Sequence, residues 1–182
     1  IVVCEELVND HDFIPLLGAV RHLQADGLEF SLAIMGEGPA ERAVRRQVRD
    51  MGLTSVVTVV PPLRPVRPVF QGMDIFVHIK DRKRCNLALM EAMSVGLVVG
   101  GCADTTMELI DHEKTGLIFD PQEEMSVYRG LKQLLSMPDQ ARMMADNARL
   151  YLRANHNVSG MVEAQLGAYR QAVQLLDKQT VS

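Results

Sequence analysis

The sequence predicts an α/β fold, a doubly wound six-stranded parallel sheet with a helical C-terminal tail. Three observations predict it. Short apolar runs alternate with amphipathic helical stretches over the first two thirds of the 182 residues, as in parallel sheets with right-handed crossovers. From Met125 onward only helical patterns remain. No internal repeat or low-complexity segment interrupts the alternation. Six strands in this pattern imply the order 3-2-1-4-5-6, whose ligand crevice lies beyond the strand C-termini, between strands one and four.

Taken in order, Ile1–Cys4 is an apolar strand followed by the acidic loop Glu5–Asp12. Phe13–Leu23 is helical, with Asp12 as its cap and Pro15 tolerated in the first turn. Phe30–Ile34 is strand two and runs into the Gly36–Pro39 turn. The next helix carries Ala40, Val44 and Val48 on one face and closes at Gly52. Val56–Val60 is strand three. The proline-rich run Pro61–Pro68 is expected to be a stiff, irregular connection bearing Arg64 and Arg67. Asp74–Ile79 is strand four, Leu97–Gly100 strand five and Gly116–Phe119 strand six, with a short helix around Thr105–Ile110. The tail is expected as helices over Ser126–Leu135, Pro138–Arg153 and Ser159–Leu176, the last capped by Asn157.

Composition removes several classes of function. A 47% hydrophobic chain of net charge −4 has no global basicity to attract nucleic acid. No apolar run approaches the ~20 residues of a membrane span, and no signal-peptide pattern opens the chain. Cys4, Cys85 and Cys102 are odd in number and lack metal-ligand spacing, so reduced thiols and a cytoplasmic location are expected, with no metal and no cofactor. Because IVVC begins inside a strand, an N-terminal partner domain is expected upstream.

The crevice rule singles out Lys80–Gly101, KDRKRCNLALMEAMSVGLVVGG. Asn86 is a suitable N-cap, Leu87–Ser94 consists of strong helix formers, and Gly96 terminates them. The preceding loop sets Lys80, Arg82, Lys83 and Arg84 beside a helix N-terminus, where free N–H groups and the helix dipole favour a phosphate.

The run Glu91-Ala92-Met93-Ser94-Val95-Gly96 is similar to the E-A-M-x-x-G helix of the family 4 (group 1) retaining glycosyltransferases, which have two Rossmann-type domains. The likeness extends along the chain: IVVCEELV, Gly36–Pro39, Gly52-Leu53, Asp74 in MDIFV, Glu108-Leu109-Ile110 and Thr115-Gly116-Leu117 stand in family order. The resemblance implies that residues 1–182 are the donor-binding domain of such an enzyme. That domain would bind a nucleotide-diphosphate sugar for glycosyl transfer to an acceptor held by the N-terminal domain. Any peripheral membrane contact would come through that other domain. It further implies that Glu91 accepts hydrogen bonds from the nucleotide ribose. Asn86, Leu87 and Ala88 become places whose backbone could reach phosphate.

The sequence departs from the family at three places. Where the family's first loop supplies an Arg and a Lys to the diphosphate, Glu6 and His11 stand here. The first Glu of the family's paired motif is Lys83, followed by Arg84-Cys85-Asn86. The Gly-Gly-x-Pro-Glu loop corresponds to Asp104–Glu108, without glycine. The donor-site candidates are therefore Glu91, Leu87, Ala88, Asn86, Lys83, Arg84, Glu6 and His11. The sign reversals predict an ion pair between Glu5 or Glu6 and one of Lys80, Arg82, Lys83 or Arg84. A second reading is a catalytically silent glycosyltransferase-like module that keeps the fold for binding or scaffolding. An unrelated dinucleotide-binding domain is disfavoured, because no G-x-G-x-x-G follows strand one.

Overall fold

The computed structural model describes residues 1–79, 87–101 and 109–180. Its sheet is β1 (Val2–Cys4), β2 (Leu32–Met35), β3 (Val57–Val60), β4 (Ile75–His78), β5 (Val98–Gly101) and β6 (Leu117–Ile118). The spatial order is β3-β2-β1-β4-β5-β6, and every pairing is parallel. The order expected from the sequence is the order found. The helices are α1 (Ile14–Ala25), α2 (Glu41–Asp50), α3 (Val66–Phe70), α4 (Leu87–Val95), α5 (Glu124–Ser136), α6 (Pro138–Asn155) and α7 (Val158–Thr180).

Alternation along the strands splits the interior into two layers. Val3, Ile34, Val59, Ile75 and Val77 face one side, against Leu17 and Val20 of α1, Val44 of α2 and Leu131 of α5. Val2, Met35, Phe76 and Val99 face the other, against Phe70 of α3, Leu89 and Met93 of α4, and Leu152 of α6. Phe70 and Phe76 meet edge to face at 5.5 Å between centroids. A polar brace ties α1 to α5: His22 Nε2 lies 2.9 Å from Glu124 Oε1, and Tyr128 Oη and Lys132 Nζ both donate to Asp26 Oδ2 at 2.7 Å.

The termini follow local chemistry. Gly52 and Gly96 take positive φ angles of 72° and 93° after α2 and α4. Backbone bonds from Leu53 N to Val48 O and from Leu97 N to Ala92 O complete their C-terminal turns. Asn157 Oδ1 accepts from Gly160 N at 2.8 Å and caps α7, as expected.

Two local expectations are corrected. Asn9, not Asp12, makes the first cap: its Oδ1 accepts from His11 N, and Asp12 lies within a 3-10 turn over Asp10–Phe13. The proline-rich connection is not wholly irregular, since Val66–Phe70 forms a helix with Pro65 as N-cap. Pro68 is accommodated because it falls in the first turn, where a backbone N–H has no intrahelical partner. The expected helix around Thr105–Ile110 lies mostly outside the described residues.

Candidate functional site

Three segments converge beyond the C-terminal ends of β1 and β2. The first is β1's own exit loop, held by the Gly36–Pro39 turn: Glu5 N donates to Met35 O, Leu7 N to Glu37 O and Ala40 N to Leu7 O, at 2.8–3.1 Å. The fit requires glycine at position 36, where a Cβ would stand 1.9 Å from the Glu5 carbonyl oxygen. The turn is thus more than a connection, because it fixes the path of the loop entering the crevice. The second segment is Pro62–Val66, leaving β3 and opening α3. The third is the start of α4, with Leu87 and Ala88 in its first turn and Glu91 one turn on.

Together they line a cleft of about 430 Å³, bounded by Cys4, Met35, Pro62–Val66, Leu87, Ala88 and Glu91. Its walls are mainly apolar, and its charged side chains are Glu91 and Arg64. A larger cavity of about 680 Å³ surrounds His112, Asn147 and Tyr151. It is bordered by the segment leading into β6 and by α6.

Glu91 is not left to solvent alone. Arg67 Nη1 donates to Glu91 Oε1 at 2.9 Å and to Ser94 Oγ at 3.1 Å, while Ser94 Oγ donates to the Glu91 carbonyl at 2.8 Å. About a third of the Glu91 side chain remains accessible. Arg67 therefore fixes one carboxylate oxygen and leaves the group available to a ligand. Cys4 lies on the floor. Burial, reinforced by the Glu5 carboxylate, pushes its thiol above the ordinary range, so at neutral pH it is a protonated wall rather than a nucleophile.

A second carboxylate is placed quite differently. Glu5 Oε1 lies 2.7 Å from His78 Nδ1 at the end of β4, with the two side chains only 6% and 2% exposed. Among the described residues that carboxylate oxygen accepts no hydrogen bond of good geometry. The pair bridges the ends of β1 and β4, the two strands that flank the reversal of strand order.

The chain matches the family model described as "Glycosyl transferases group 1" over residues 2–137. The chain belongs to this family. An uncharacterized glycosyltransferase of Haemophilus influenzae is 21% identical over 76% of this chain and 40% of its own length. The putative colanic acid biosynthesis glycosyltransferase WcaL of Salmonella typhimurium is 32% identical over 54% of the chain and 26% of its own. The chain thus spans less than half the length of these curated relatives. Among solved structures, Anabaena HepE in complex with UDP and glucose superposes with a TM-score of 0.80 at 16% identity, over 94% of this chain and 47% of that one. At that identity the likeness shows the fold, the same doubly wound sheet.

Of the candidates read from this group 1 sequence, Leu87, Ala88 and Glu91 line one cleft. Glu6 is exposed beyond β1, and His11 is exposed in the 3-10 turn; neither lines the cleft. Lys83, Arg84 and Asn86 lie outside the described residues, as do all four cations of the anticipated Glu5 or Glu6 ion pair. Glu5 is nevertheless committed to His78. His78 and Arg67 were not singled out as site residues from the sequence. A histidine closing the apolar run IFVH was the available signal for the first. The second had no local signal, because Arg67 and Glu91 are 24 residues apart.

Among the described residues, no group of three or more His, Cys, Asp or Glu side chains could hold a metal ion. Nor is any described helix long and apolar enough to cross a membrane.

Proposed function

We propose that the chain is the donor-binding domain of a group 1 glycosyl transferase and holds a nucleotide-diphosphate sugar at the crevice. The carrying observation is the placement of Glu91 in one cleft with the first turn of α4. The helix N-terminus offers backbone N–H groups and a positive dipole end to the diphosphate. One turn further on, the accessible part of the Glu91 carboxylate accepts hydrogen bonds from the ribose hydroxyls. Charge-assisted bonds of this kind are about twice as strong as neutral ones. HepE, a structural neighbour with the same fold, is complexed with UDP and glucose, which supports nucleotide binding as a use of this fold.

In the reaction, the bond between the sugar's anomeric carbon and the diphosphate breaks, and an acceptor hydroxyl takes the glycosyl group. The departing diphosphate gains negative charge, so cations and N–H groups at the crevice contribute most in the transition state. The acceptor would be held by an N-terminal domain of the same protein. Along α7, Met161, Val162, Leu166 and Tyr169 are 43–62% exposed. An apolar stripe of this kind supports a helix covered by that domain.

A second reading is a silent module that retains the fold for binding or scaffolding. The exposed Glu6, at the position where the resemblance expects a cation, favours it. A thermal-shift series with UDP-, GDP-, ADP- and CMP-sugars separates the two. A ligand at 100 times its Kd contributes about 2.7 kcal/mol, a shift of roughly 5–10 °C for a domain of this size. No shift with any nucleotide or nucleotide sugar would overturn the donor-site reading in favour of the silent module.

A further inference from the structure

The walls of the donor cleft are not chemically uniform, and their asymmetry bears on which nucleotide enters. The inference rests on the donor-site reading above. Phosphates at the first turn of α4 and a ribose at Glu91 fix two points of a nucleotide. The strand order β3-β2-β1-β4 then sets its direction. Moving away from β4, past β1 and β2, the cleft ends on the connection leaving β3, where Pro62, Leu63, Arg64 and Pro65 form its wall. The nucleobase therefore meets this connection.

That wall combines apolar surface with one guanidinium. Pro62, Leu63 and Pro65 offer rigid apolar faces suited to a planar ring. Arg64 is exposed and, among the described residues, engages in no hydrogen bond or ion pair. Its neighbour Arg67, by contrast, is held on Glu91 and Ser94. Arg64 is thus the cation of this wall with its donors uncommitted.

We propose that Arg64 reads the edge of the nucleobase and sets a preference for guanine nucleotides. A guanidinium presents parallel N–H donors and no acceptor. Guanine answers with two adjacent acceptors, O6 and N7, whereas adenine places an amino donor beside N7. Uracil offers only one carbonyl, O4, on the corresponding edge. Guanine alone among the three satisfies both donors of the fork.

The test is calorimetry with GDP, UDP, ADP and inorganic pyrophosphate on the 182-residue chain and its Arg64→Ala and Arg64→Lys variants. The expected result is GDP bound about tenfold or more tightly than UDP or ADP, in line with the discrimination of one bidentate contact. Arg64→Ala should bring GDP down to the level of UDP while changing UDP less than twofold. Arg64→Lys should recover little, because an ammonium lacks the fork. Equal weakening of all nucleotides and of pyrophosphate would make Arg64 a phosphate contact and overturn the proposal. So would UDP preference in the unmodified chain, or unchanged GDP affinity in Arg64→Ala. These three results leave the donor-site reading standing, whereas failure of every nucleotide to bind would remove both. Since Arg64 is exposed, its variants should retain the parent's unfolding midpoint, and a shared midpoint assigns affinity changes to the cleft.

Discussion

Replacing His78 by Leu should destabilise the fold far more than an ordinary core substitution of similar size. Glu5 Oε1 and His78 Nδ1 are 2.7 Å apart, with side chains 6% and 2% exposed. Two unit charges at that distance would attract by about 6 kcal/mol at an effective dielectric near 20. Most of that attraction only offsets the cost of desolvating both groups. Removing one partner abolishes the attraction and leaves the other group's desolvation cost in place. The expected loss is therefore about 3–5 kcal/mol, a large share of the 5–15 kcal/mol that holds a typical domain together. The midpoint of thermal unfolding should fall by roughly 10 °C. Replacing both partners by apolar groups, as in Glu5→Met with His78→Leu, should recover most of the loss. Urea unfolding of the parent, the two single variants and the double variant gives the coupling energy directly. A His78→Leu loss below about 1 kcal/mol, or a double variant as unstable as the sum of the singles, would refute the account of a buried pair.

Two further predictions test the framework around the site. Gly36→Ala places a Cβ 1.9 Å from the Glu5 carbonyl oxygen, forcing the β1 exit loop to shift at a cost of about 1–3 kcal/mol by overpacking; an unchanged urea midpoint would show that the loop is not clamped there. The brace between α1 and α5 predicts pH dependence, because hydrogen bonds from Lys132 and then Tyr128 hold the Asp26 carboxyl below its ordinary value of 3.8. The unfolded chain binds the extra proton between the lowered value and the ordinary one, so this contribution is complete above the ordinary value and lost as pH falls through the lowered one. Acid unfolding of Asp26→Asn should lack that component, and superimposable acid profiles for the variant and the parent would count against the brace.

The fold was legible because its signals are local and repeated. IVVC, IFVH and LVVG read as buried strands, and Gly52 and Gly96 mark helix ends by the positive φ that glycine tolerates. Element edges were less legible where tertiary contacts decide them. Nothing within Pro61–Pro68 announces that its last residues turn helical. They do so where Val66 and Phe70 can bury against the layer containing Phe76. Of the site, Glu91 could be found, because a helix motif marks it. Its partner Arg67 could not, because helix periodicity constrains neighbours three and four residues away, not a side chain 24 positions back. Glu5 was recognisable as acidic and near the crevice. Its choice of partner depends on the pairing of β1 with β4, which puts Val3 beside Val77.

This difference between Glu5 and Glu91 changes the electrostatic case against a donor site. Taken alone, the sequence sets Glu5 and Glu6 at the mouth of the crevice that the donor-site proposal gives to a diphosphate, as if two carboxylates repelled the ligand. In the structure Glu5 points inward: its side chain is only 6% exposed and its Oε1 lies 2.7 Å from His78 Nδ1. The remaining carboxylate, Glu6, is exposed. Two unit charges about 8 Å apart in a water-like dielectric repel by only about 0.5 kcal/mol, and physiological salt screens part of that. A full reversal from cation to anion at such a position costs on the order of 1 kcal/mol per phosphate charge. The N-terminus of α4 recovers a similar amount, and restoring Arg at position 6 should therefore tighten nucleotide diphosphates by roughly tenfold. Calorimetry of Glu6→Arg with GDP and guanosine decides the matter. The diphosphate should gain and the nucleoside should not; equal gains, or none, would place Glu6 outside the phosphate's field.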